Sequence, residues 1–86
     1  MLFRSAEVEE KVYRIRLETL GENHPDTQTV MYNLGISYKI LGQYQKALEL
    51  YEKLYRIRSS SLGLFHADTL KVKNSILDLQ KKLKNS

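Results

Sequence analysis

The chain has 86 residues and no cysteine, and its 14 basic and 10 acidic side chains leave a net charge of +4. A single small domain is the ceiling, burying about 60 to 65% of the surface its unfolded chain exposes. Disulfides, thiolate metal sites and a thiol nucleophile are excluded.

No stretch approaches the roughly 20 apolar residues a membrane span needs, and the opening MLFRSAEVEEK turns acidic too soon for a secretion signal. Small secreted domains usually lean on disulfides, so a soluble, cytoplasmic chain is expected.

In chain order, the first element is a helix from Leu2 to about Leu20. It carries acid-first pairs at i,i+4, Glu7 with Lys11 and Glu10 with Arg14, each expected to add about 0.2–0.5 kcal/mol. The octet LGENHPDT (20–27) follows. In it Gly21 stops the helix, Pro25 suits a first helical position because its missing N–H would be unbonded there, and Asp26 places negative charge where the next helix dipole favours it. The second helix is predicted from Asp26 to Leu41. Its stripe of Val30, Met31, Leu34, Tyr38 and Leu41 recurs at spacings of three and four, and Gly42 ends it.

A third helix is predicted from Tyr44 to about Ser59, with Tyr44, Ala47, Leu48, Tyr51, Leu54, Tyr55 and Ile57 as its apolar stripe. Ser59, Ser60 and Ser61 are expected to weaken its end. The octet LGLFHADT (62–69) then leads into a fourth helix from Asp68 to about Lys84. No strand pattern occurs.

The two octets are near-copies, and a shift of 42 aligns far more than these corners. EEKVYRIR (9–16) falls on YEKLYRIR (51–58), Val30 on Val72 and Leu41 on Leu83. The pairs Glu49 with Lys53 and Glu52 with Arg56 repeat the earlier spacing. Because apolar and surface positions match alike, a whole structural unit is duplicated. The first helix is a copy of the third and the fourth a copy of the second. One domain over 1–86 is expected, made of a half unit (1–20), a full unit (21–61) and a half unit (62–86). The sole histidines, His24 and His66, sit at equivalent helix starts. They read as capping or loop-packing residues. Metal ligation is the weaker alternative, because a whole unit separates the two rings.

Residues 31 to 51 carry Met31, Leu34, Gly35, Tyr38, Ala47 and Tyr51 at the spacing W-x₂-L-G-x₂-Y…A-x₃-F, with Met for Trp and Tyr for Phe. This resembles a tetratricopeptide repeat. The period of 42 in place of 34, with LGENHPDT before YNLGISYKILGQYQKALELYEKLYRIR, is similar to the extended repeats of the kinesin light chain type. The likeness covers about residues 4 to 77. It implies an all-α fold, antiparallel helix-turn-helix repeats stacked as a short right-handed superhelix (α-solenoid) of about four helices. In such repeats Gly35 marks a close helix crossing with room for nothing bulkier than alanine, and Ala47 is its small counterpart. The last helix departs from the pattern, with Lys73, Leu77 and Gln80 in the places of Met31, Gly35 and Tyr38. It therefore reads as a terminal cap.

The resemblance implies a non-catalytic interaction scaffold that binds a peptide or partner protein on its concave face. The family's groove positions fall on Thr29, Tyr32, Asn33, Ile36, Lys39 and Ile40, and on Lys71, Asn74, Ser75, Asp78, Lys81 and Lys82. Asparagine there can hold a peptide backbone from both sides and lysine can meet a carboxylate, so an acidic partner is expected. At least three repeats are usually needed for a stable array. The unit is thus either part of a longer array or completed by self-association through its open faces. No enzyme activity, cofactor or metal is expected, because the acids fall on helix faces and helix starts. The rival reading uses the lysine-rich last helix, KVKNSILDLQKKLKNS, for nucleic acid or another acidic surface, although no aromatic platform accompanies the lysines. Its stripe of Val72, Ile76, Leu79 and Leu83 could also lie on a membrane surface, and core packing explains the same residues.

Overall fold

The computed structural model describes residues 6–85. Four helices follow in order: α1 (Ala6–Leu20), α2 (Pro25–Ile40), α3 (Tyr44–Leu62) and α4 (Ala67–Asn85). The predicted start of the first helix at Leu2 lies outside the described residues. Among those described there is no strand, and no helix is long and apolar enough to cross a membrane.

The corners form for local reasons. Gly21, Gly42 and Gly63 close α1, α2 and α3 with φ of 82°, 80° and 94°. This left-handed region favours glycine because a Cβ would crowd the following carbonyl oxygen. Each histidine opens the helix that follows. The Nδ1 atoms of His24 and His66 accept the backbone N–H groups of Asp26 and Asp68, both at 3.1 Å, meeting donors that the first helical turn leaves unpaired. Each imidazole thus serves its own helix, α2 or α4.

Connections this short force antiparallel neighbours, and each helix packs on the next in the chain. The result is a slab of 34 × 33 × 18 Å. Its core gathers Met31, Leu34 and Tyr38 from α2, Ala47, Leu48, Tyr51, Leu54 and Ile57 from α3, and Val72 and Leu79 from α4. The apolar stripe of α4 is core, the reading preferred over a membrane surface: Val72 and Leu79 are buried, and Ile76 and Leu83 pack against the cluster.

Several local expectations are corrected. The third helix, expected to end near Ser59, runs to Leu62. The Gly63 N–H reaches the Ser59 carbonyl at 3.1 Å, and Ser61 Oγ lies 3.3 Å from Asn23 Oδ1 at the neighbouring corner, so a tertiary contact holds the last turn. Leu41, expected on the buried stripe, is the exposed residue that caps α2. Gly35 leaves no room even for an alanine methyl, because the Tyr51 ring, not Ala47, lies against it.

The repeated i,i+4 pairs are not the ion pairs that form. Among the described residues the ion pair formed is Lys39–Asp78 at 2.8 Å. Two acids of α1, Glu9 and Glu10, turn across to α2, where Ser37 donates to Glu9 and Tyr38 to Glu10. Lys53 instead donates to the Tyr13 hydroxyl at 3.2 Å. A cross-helix partner beats the short-range one because packing has already fixed it in place.

Candidate functional site

Helices α2 and α4, the two copies that follow the histidine corners, are bridged by side chains across one face. Lys39 of α2 reaches Asp78 of α4 through a single ion pair at 2.8 Å. Beside this pair runs a groove of about 510 Å³ lined by Tyr32, Ile36, Lys39 and Ile40 from α2, Tyr44 and Tyr51 from α3, and Ser75 and Lys82 from α4.

The floor is aromatic. The rings of Tyr32 and Tyr51 lie 5.4 Å apart at 31°, and the Tyr51 hydroxyl donates to the Tyr32 carbonyl at 3.0 Å. Burial holds the Tyr51 phenol well above its ordinary range, so it stays a neutral donor. The rim is cationic: Lys71 Nζ sits 4.9 Å from the Tyr32 ring centroid and Lys82 Nζ 6.0 Å from that of Tyr44. A lysine over a ring face is attracted by the ring quadrupole and keeps donors for an incoming acceptor. Lys39 differs, because Asp78 already engages it. Its hydrogen bond to Lys39, then the lysine's charge, hold the Asp78 carboxyl below the usual carboxylate range. The α2 flank carries Ile36 and Ile40, and Ile40 is 79% exposed, far more than a core isoleucine would be.

Of the residues expected to line a binding face, the structure gathers Tyr32, Ile36, Lys39, Ile40, Ser75 and Lys82 in this groove, with Lys71 and Asp78 attached to its rim. Thr29 and Asn33 are exposed on α2 outside it, and the Thr29 hydroxyl donates to the Pro25 carbonyl at 3.0 Å. Asn74 and Lys81 line a separate hollow of about 580 Å³ on α4, with Leu77, Asp78, Gln80 and Lys84. Two lining residues, Tyr44 and Tyr51, were not expected. For Tyr51 the signal was a tyrosine at the A-x₃-F position, where a hydroxyl needs a polar neighbour.

A second layer of polar contacts fixes the helices that carry the groove. Arg58 is buried on α3 and donates to Gln28 Oε1 at 3.3 Å and to the Asp68 carbonyl at 3.1 Å, joining α2 to the start of α4. Gln28 in turn holds the first corner through the Asn23 carbonyl at 3.3 Å. Thr27, fully buried, donates to the Arg16 carbonyl at 3.3 Å. The family model of the tetratricopeptide repeat matches residues 10–83, a span that takes in parts of all four helices.

The chain belongs to the tetratricopeptide repeat family. No curated protein matches it. Membership in the tetratricopeptide repeat family makes the chain a helical-repeat scaffold of the protein-interaction kind, and such repeats are typically non-catalytic. In this tetratricopeptide repeat protein the groove lies on the face to which both α2 and α4 contribute side chains.

Proposed function

We propose that the protein is a non-catalytic interaction module of the extended, kinesin light chain type, and that the groove across α2 and α4 holds an extended segment of a partner protein. One full unit (21–61) with a half unit on either side presents this surface. The observation that carries the reading is the groove's composition: two tyrosines on its floor, Ile36 and Ile40 exposed on one flank, and Lys71 and Lys82 over rings on its rim. Tyrosine and isoleucine offer a surface for an apolar anchor, and the lysines favour a carboxylate beside it. The partner class is therefore an acidic peptide segment with an apolar residue next to the acid. A cytoplasmic setting is consistent with a cysteine-free chain.

The test is a fluorescence-anisotropy titration with matched peptides, one acidic and one in which amides replace the acids. The acidic peptide binds more tightly, and Lys82→Glu weakens it about fivefold while the melting temperature stays fixed. Equal binding of both peptides removes the charge preference, and no binding of either removes the groove. Tight binding of an oligonucleotide of equal charge, lost with Lys81 and Lys84, would favour the lysine-rich face of α4 instead.

A further inference from the structure

A second groove, of about 530 Å³, lies between α1 and α3. Glu10, Tyr13 and Arg14 of α1 form one wall, Leu34 and Tyr38 of α2 the floor, and Glu49, Leu50 and Lys53 of α3 the other wall. Shifted by 42, the first wall and the floor become Glu52, Tyr55, Arg56, Ile76 and Gln80, and these line a groove of about 540 Å³ between α3 and α4. That groove is the first one with its far wall removed, since α4 is the last helix described.

The missing wall is present elsewhere in the same chain. Counted back by 42, Glu49, Leu50 and Lys53 become Glu7, Val8 and Lys11, the same order of acid, apolar residue and base at the same helical spacing, and all three are exposed on α1. We infer that α1 of one copy docks in the open groove between α3 and α4 of the next, continuing the stack head to tail. The inference rests on the stacked-repeat reading and uses neither the α2–α4 groove nor its peptide.

Lys53 shows what the junction would do: its Nζ donates to the Tyr13 hydroxyl at 3.2 Å and lies 5.9 Å from that ring. Tyr55 holds the place of Tyr13, and the Lys11 of a second copy holds the place of Lys53. Exposure points the same way. Ile57, with a helix packed on each side, is 7% exposed, whereas its copy Ile15 on α1 is 56% exposed. The glycine notch is reversed at the junction. Inside the repeat Tyr51 projects toward Gly35; at the junction Leu77, 51% exposed, takes the place of Gly35, and the shorter Glu9, buried against Ser37, that of Tyr51. Because the two surfaces differ, the contact is heterologous and does not close on itself.

Sedimentation equilibrium tests this. The wild type rises with concentration from 10.1 kDa to dimers and longer chains. Val8→Asp and Leu77→Glu each weaken association at least tenfold with helical circular dichroism unchanged, and Lys11→Glu replaces Val8→Asp if that variant unfolds. An equimolar mixture of the α1 and α4 variants forms a 1:1 pair and stops there, since each retains one good surface. A wild type that stays monomeric at millimolar concentration, variants that associate as it does, or a mixture that fails to pair overturns the inference. Lys82→Glu leaves association unchanged, so failure of peptide binding is read separately.

Discussion

The ring of Tyr51 rests directly on the backbone of Gly35: a Cβ at residue 35 would stand 2.9 Å from the Tyr51 Oη and closer still to two ring carbons. The same hydroxyl donates to the Tyr32 carbonyl at 3.0 Å, so the ring cannot simply swing aside. Gly35→Ala gains helix propensity of up to about 1 kcal/mol and loses typically 1–3 kcal/mol to overpacking. The net loss of up to about 2 kcal/mol lowers the melting temperature by up to roughly 16 °C in thermal denaturation. In a Tyr51→Leu background the clash is gone and the same substitution becomes neutral or stabilising. A uniform loss in both backgrounds would show that the ring is not the obstacle.

Each histidine accepts a backbone N–H through Nδ1, which places the imidazole proton on Nε2. His24→Ala and His66→Ala each lose a cap, at about 1 kcal/mol in urea unfolding. His24→Asp restores stability, since a carboxylate accepts the same bond and favours the helix N-terminus. Loss of stability in the aspartate variant equal to that in alanine would mean that the ring matters for its bulk and not for its nitrogen.

Burial, and then the hydrogen bond to Glu10, push the Tyr38 phenol up to about 12. A folded-state value above the unfolded value of about 10 means that the native chain keeps a proton the unfolded chain gives up. The resulting stability is complete below pH of about 10 and is lost as pH rises toward 12. Tyr38→Phe should flatten the stability profile across that window. Absorbance at 295 nm followed during alkaline titration gives the check: the wild type ionises one tyrosine more near pH 12 than the variant does.

Asp78 competes with any acidic ligand for Lys39. Asp78→Asn should tighten binding of the acidic peptide roughly two- to fivefold, with the amide-substituted peptide unaffected, as expected for a partly exposed pair. The same variant bears on acid stability. With its folded-state value lowered, the carboxylate contributes stability above its unfolded value and loses it as pH falls through the folded one. The variant should therefore show a shallower decline in melting temperature on acidification, and added salt should shrink the difference. Identical acid profiles would mean that the pair adds nothing to folding.

The sequence by itself determined the four helices and their corners. Gly21, Gly42 and Gly63 each need a backbone conformation that only glycine takes freely, the stripes of α2 and α3 recur at helical spacing, and the 42-residue copy places α1 and α4 by analogy. These are local signals, written within a few residues of where they act. Tertiary structure decided which partners the polar groups take. Glu10 could meet Arg14 one turn away, yet it accepts from Tyr38. Lys39, expected to await a ligand, is held by Asp78, and Asn74 faces a different hollow from Tyr32. Such choices turn on how far each helix is rotated about its own axis when it packs. A rotation of one residue step, about 100°, moves a side chain from the groove to the flank, and only packing of the whole slab fixes it.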